Sequence, residues 1–208
     1  MKKLLLLLLA IIFVVPQAEA KRRESEEEIA RKTRHYSGWE YGASGRVGLY
    51  FYELDYMRIK GEKGVDAYKS HAKMGGDVLL NAGYFFNNHW RLGVEAGAQI
   101  QYNYTLVPIY LTAHYHYGKR KNNLFNFLNL GTNVLFDKGL RFGATAAGGV
   151  GVRLQSPDSE YKYDIMIGYQ ALMLTPRPVI EGDFSFKSKD VTRLELNQSV
   201  FIGFGFSF

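Results

Sequence analysis

The chain has 208 residues, with 26 basic and 20 acidic side chains, a net charge of +6, and no cysteine. This length fits one domain, and the lack of cysteine excludes a disulfide-stapled scaffold. Past the first residues no apolar run reaches the roughly 20 residues a membrane helix needs, and the slightly negative mean hydropathy excludes a helical membrane protein.

Met1, Lys2 and Lys3 precede an apolar run over residues 4–15, then Pro16, Gln17 and the small-residue stretch Ala18, Glu19, Ala20. A basic start, a short apolar centre and small residues at a cleavage site are the three parts of a secretory signal. Residues 1–20 are therefore expected to be a signal peptide cut after Ala20. No cysteine follows the cut, which excludes a lipoprotein anchor. Without Lys2, Lys3 and Glu19 the mature chain keeps 24 basic and 19 acidic residues. Export argues against nucleic acid as the partner of this basic balance and favours anionic lipopolysaccharide. Residues 21–38 begin with a charged, helix-compatible stretch in which Glu27 precedes Arg31 and Glu28 precedes Lys32 by four positions. With no apolar face, this stretch reads as a flexible periplasmic tail.

From Tyr41 onward the dominant period is two, the signature of half-buried strands. In residues 90–101 one face carries Trp90, Leu92, Val94, Ala96, Ala98 and Ile100, and the other Arg91, Gly93, Glu95, Gly97, Gln99 and Gln101. The same alternation sets Leu140, Phe142 and Val152 against Arg141 and Arg153, and Tyr41, Val47 and Leu49 against Arg46. It sets Val78, Leu80 and Tyr84 against Asp77, and Ile109, Leu111, Tyr115 and Tyr117 against His114 and His116. Leu128, Leu130 and Val134 oppose Asn129 and Asn133, Tyr161, Tyr163 and Ile165 oppose Asp164, and the final segment opposes Arg193 and Glu195. These are about eight strands, many long enough for the 9–11 residues of a tilted bilayer crossing. The strands of a soluble sandwich are usually shorter, about 5–6 residues.

The pattern predicts an all-β, antiparallel, up-and-down transmembrane barrel over residues 39–208, of eight strands, or ten if a long loop hides another hairpin. Residues 52–75 and 172–190 read as long outer loops carrying Tyr56, Tyr68, Phe184 and Phe186. If the first strand rises from the periplasm, Tyr41, Tyr84, Phe86, Trp90, Tyr115, Tyr117, Tyr161 and Tyr163 fall at the periplasmic rim, as an interfacial aromatic girdle does.

The last nine residues, from Val200 to Phe208, resemble the terminal strand of bacterial outer-membrane proteins. Alternating apolar residues ending in Phe204, Phe206 and Phe208 look like the signal read by the barrel assembly machinery. Val107, Pro108, Ile109, Tyr110 and Leu111 also resemble a strand common in porin-like outer-membrane barrels. The chain is thus similar to the small OmpX-like and OmpA-barrel types, without a peptidoglycan-binding domain after the barrel. The resemblance implies an outer-membrane location in a Gram-negative bacterium, and leaves activity open because unrelated functions share the scaffold.

An eight-stranded barrel is just wide enough for side chains to fill. The expected lining charges are Arg46, Asp77, Arg91, Glu95, Arg141, Arg153, Asp164, Arg193 and Glu195, which should pair because a lone buried charge is costly. The expectation is a monomeric barrel with a structural or surface-interaction role and at most a narrow porin-like path. The alternatives are a solute or ion channel and a lipid A-modifying enzyme. Ser70 and His71, with Asp66 and Asp77 near in sequence, are the best enzymatic candidates, yet they match no known lipid-modifying pattern. His114 and His116 share a strand face but lack the third ligand a metal site needs. No cofactor is expected, and no surface ligand can be named.

Overall fold

The computed structural model describes residues 29, 33–61, 64–101, 104–135, 141–156, 158–176 and 191–208. The chain divides into residues 1–31 and 32–208. Of the first unit only Ile29 is described; all the strands lie in the second. The signal segment, most of the tail, and Phe184 and Phe186 lie outside the described residues.

Eight antiparallel strands follow in chain order: β1 (Gly38–Ile59), β2 (Val65–Phe85), β3 (Trp90–Gln101), β4 (Tyr104–His116), β5 (Asn123–Leu135), β6 (Arg141–Gln155), β7 (Lys162–Leu174) and β8 (Val191–Ser207). Each pairs with the next, and β8 returns to β1, so the sheet is a closed up-and-down barrel of eight strands. Period-two alternation decides which way each side chain points. On β3, Leu92, Val94 and Ile100 face outward and are exposed, whereas Arg91, Glu95, Gln99 and Gln101 are buried inside.

The interior is less uniformly polar than the alternation implies. Phe125, Phe127 and Phe201 pack inward with Ala147 and Met166. Leu106, Leu135, Leu172 and Leu174 form a second apolar group with Tyr104. Glycine makes room for these rings: a Cβ at Gly168 would lie 2.6 Å from Phe201 Cζ.

Residues 52–75 are not a loop. β1 continues to Ile59 and β2 begins at Val65, with Glu53 opposite Lys69 and Asp55 opposite Ala67. The turn between them uses Gly61 at φ +92°, where a side chain would be strained. Tyr52, Tyr56, Ile59, Val65 and Tyr68 favour strand; the charges between them disguise it. This hairpin extends existing strands, so it does not make a ten-stranded barrel. β1 and β2 run 22 and 21 residues, against 12 to 15 for β3 to β7. One sector of the wall is therefore taller than the rest.

Both ladders of β1 shift register between Tyr50 and Tyr52, leaving Phe51 as a bulge. A one-residue slip exchanges inside and outside. Glu40, Ser44, Arg46 and Tyr50 point inward before the bulge; Asp55, of opposite parity, points inward after it. Replacing Asp55 with Asn is expected to break its ion pair with Arg193. Urea unfolding in detergent should then show a loss of about 2 kcal/mol, below the 3–5 kcal/mol of a fully buried pair because the Arg193 side chain is 23% exposed.

Candidate functional site

Polar chemistry is concentrated in the lumen, and its centre is Glu40, near the start of β1. Its carboxylate meets Arg91 Nε at 3.0 Å, Arg153 Nη1 at 2.9 Å and Lys162 Nζ at 3.0 Å. Arg153 also donates to Asp164, from Nε at 2.8 Å and Nη2 at 2.7 Å. Four strands, β1, β3, β6 and β7, are thereby tied across the barrel. Arg91 reaches on to Asn81 Oδ1 at 2.9 Å, and Asn129 donates to Glu95 at 3.0 Å. A polar cavity of about 20 Å³ lies among Glu40, Ser44, Asn81, Arg91 and Glu95, room for about one water.

Farther along β1, Arg46 Nε donates to both oxygens of Asp77 at 2.8 and 3.0 Å. Its guanidinium lies 5.0 Å from the Phe201 ring centre and 5.4 Å from that of Tyr110. At the opposite mouth Arg193 Nη2 pairs with Asp55 at 2.8 Å and Glu195 at 2.7 Å, and Tyr104 donates to Glu195 at 3.1 Å. The carboxylates of Glu53, Asp55 and Glu195 approach within 4.8 Å of one another, but Arg193 already bridges two of them. Arg141 stands apart from these pairs and donates to the Thr175 carbonyl at 3.0 Å.

The lumen is capped by residues 33–37 at the end where β1 starts and β8 finishes. Thr33 forms an isolated bridge with Arg120, and Arg34 N donates to the Lys119 carbonyl at 2.8 Å. Arg34 Nη2 donates to the carbonyls of Gly118 at 2.8 Å and His116 at 3.4 Å. Tyr36 N donates to Asn88 Oδ1 at 2.6 Å, and its hydroxyl to Gln155 Oε1 at 2.8 Å. The Tyr36 ring lies 4.8 Å from Phe85, with Arg153 at 5.7 Å and Lys162 at 5.5 Å from its centre. The flexible-tail reading thus fails for residues 33–37, because Arg34 and Tyr36 are buried in the barrel mouth. Burial pushes the Tyr36 phenol above its usual pKa. It also pulls Arg34 below the ordinary guanidinium value, and Arg153 adds repulsion.

The two enzymatic or metal candidates do not assemble. Ser70 and His71 belong to strand β2, and seven residues of extended chain put Asp77 about 23 Å from Ser70. Asp77 is in any case committed to Arg46. His114 and His116 are both buried, with ring centres 6.1 Å apart, and His114 stacks on Phe125 at 5.3 Å. His116 Nδ1 is bonded to Asn123 Oδ1 at 2.8 Å. Among the described residues no third ligand joins them.

The aromatic residues lie outward around the end where β1 starts and β8 finishes. Tyr41, Tyr84, Phe86, Trp90, Tyr117, Tyr161 and Tyr163 are exposed and Tyr115 is half-buried. Trp90 and Tyr115 rings are 5.0 Å apart, as are Tyr115 and Tyr117. Phe206 lies 5.4 Å from Tyr161 and 6.3 Å from Phe208, and Phe204 6.1 Å from Tyr163. Trp39 belongs to the same belt, 5.5 Å from Tyr84.

No protein-family model matches the chain, and no curated protein matches it by sequence. Among solved structures, this barrel is similar to small outer-membrane barrels. Neisserial surface protein A matches at 18% identity and a TM-score of 0.37, over 80% of this chain and 97% of that one. The N-terminal barrel domain of Pseudomonas aeruginosa OprF matches at 14% identity and 0.38, over 84% and 100%. The outer membrane protein AlkL, solved in DMPC bilayers, matches at 14% identity and 0.43, over 91% and 97%.

Sequence reasoning missed Glu40, Asp55, Arg34 and Tyr36. Glu40 was findable: Trp39, Glu40 and Tyr41 continue the alternation, with Glu40 in phase with Ser44 and Arg46. Replacing Glu40 with Gln leaves Arg153 paired with Asp164 and removes the carboxylate that it shares with Arg91 and Lys162. The expected cost is about 3–5 kcal/mol, read as a fall in the urea midpoint. The double variant Glu40→Gln/Arg153→Gln should recover part of it.

Proposed function

We propose that this chain is an outer-membrane barrel of a Gram-negative bacterium with a closed lumen, acting as a rigid structural and surface-presenting element. The observation that carries this reading is the inverted polarity of the barrel. Leu80, Leu111, Leu128, Leu130 and Ile202 are exposed on the outside, while Arg91, Arg153 and Glu40 are almost fully buried inside. In water such an outer surface would be a very large apolar patch; against lipid tails it is the favoured arrangement. The aromatic belt then sits at the periplasmic interface, and β1 and β2 carry their hairpin beyond the outer surface.

Closure of the lumen favours scaffold over channel. The Glu40 cluster crosses the barrel, and Tyr36 covers it from the periplasmic side. The apolar group of Leu106, Leu135, Leu172 and Leu174 narrows the outer half. A path for ions would have to dismantle pairs on several strands. A lipid-modifying activity finds no support in the placement of Ser70 and His71. The tall β1–β2 hairpin, with Tyr68 and Met74 exposed, is where surface recognition would sit, and outer lipopolysaccharide is the anionic partner of the chain's basic balance.

Folded protein in a planar lipid bilayer should give no stepwise single-channel current. Resolved, repeated conductance steps would instead support the porin-like alternative. The membrane reading has its own measurement. Leu130→Arg, on the lipid face, should destabilise the barrel in vesicles by about 2–4 kcal/mol if Leu130 lies near the bilayer midplane. Protein that stays dispersed without detergent and never partitions into vesicles would overturn the location.

A further inference from the structure

Arg34 is fully buried at the periplasmic cap. Its Nη2 is held by the carbonyls of Gly118 and His116 and lies 3.5 Å from His89 Nδ1. Its Nε and Nη1 have no hydrogen-bond partner. A guanidinium carries five N–H donors, so three remain unused here, one on Nε and two on Nη1. Among the described residues no carboxylate forms an ion pair with it. The nearby charge of Arg153 repels it, and the Glu40 carboxylate is already shared by Arg91, Arg153 and Lys162.

A buried cation with open donors and no counter-charge is unfavourable. The strap nevertheless holds it in place through the Thr33–Arg120 bridge and the Arg34 N to Lys119 carbonyl bond. The β4–β5 turn behind it carries Lys119, Arg120 and Lys121 in succession, the first two exposed. Positive charge therefore accumulates on one side of the cap. Arginine donors suit planar or tetrahedral oxyanions that accept several N–H bonds at once.

We propose that this cap is a binding site for a phosphate-type oxyanion, with Arg34 as its principal contact and Lys119 as a supporting charge. Two sources share that chemistry, the headgroup of an anionic phospholipid and free phosphate. The lipid source rests on the membrane reading above, since Tyr115 and Tyr117 would hold the turn at headgroup depth; the oxyanion site itself does not.

The full-length protein in maltoside micelles and phosphate-free buffer separates these cases. Inorganic phosphate is titrated in one arm and phosphatidylglycerol in the other. Binding is followed by native mass spectrometry and by the Arg34 Nε–H resonance of ¹⁵N-labelled protein. The expected result is one saturable adduct that moves this resonance. Arg34→Gln should weaken it at least tenfold, Arg34→Lys by less, and Lys119→Gln by about threefold. Saturation by inorganic phosphate alone identifies the free ion as sufficient; saturation only by the lipid identifies the headgroup. If neither titrant moves the resonance, or Arg34→Gln binds as the parent does, the site is refuted. The resonance of the parent protein decides the matter even if the variants fail to fold. Phosphate binding by a protein that does not enter vesicles would refute the membrane reading and leave the site standing.

Discussion

Pairing β1 with β2 on one side and β8 on the other removes the free edges of the sheet over most of its height. In a medium without water, each unpaired backbone N–H or C=O costs several kcal/mol, so a sheet can cross it only when closed. Closure then dictates the rest. A ring of eight strands leaves an interior of fixed width, which side chains must fill. Alternation supplies one inward residue for each outward one, and the inward set has to be compatible with a small, nearly dry space.

Two solutions share that space. Near the start of β1 it is filled by ions arranged around Glu40, with Asp164 sharing Arg153. Toward the other mouth it is filled partly by Leu106, Leu135, Leu172 and Leu174. Between them, Arg46 is sandwiched by Asp77, Tyr110 and Phe201. Ions buried in this way add little net stability against apolar residues of similar volume. Their stronger effect is on register, because Glu40 meets its three cations only when β1, β3, β6 and β7 are aligned. The apolar layer carries no such directional requirement and packs by shape.

Most of the barrel was legible because period two is a strong signal in strands with one lipid-like and one polar face. The alternation in residues 90–101 and 140–155 is uninterrupted, and β3 and β6 occupy nearly those spans. Legibility failed where the period breaks. Phe51 is invisible as a bulge, since an extra residue leaves no compositional mark, and Asp55 was lost with it. The β1–β2 hairpin was hidden by its charges, which suit a strand standing clear of an apolar medium. Arg34 and Tyr36 were missed for a different reason: their burial comes from contacts with Asn88, Gly118 and Gln155, far along the chain, and no local period encodes such a meeting.

The strap of residues 33–37 also bears on the order of assembly. Tyr36 bonds to the β2–β3 turn and to the end of β6, and Arg34 to the β4–β5 turn. The loop-closure entropy of bringing such distant pieces together is met only when the intervening strands have already paired. This segment, which precedes β1 in the chain, is therefore among the last to settle in time. It works as a latch on a finished cylinder, holding turns that would otherwise fray independently.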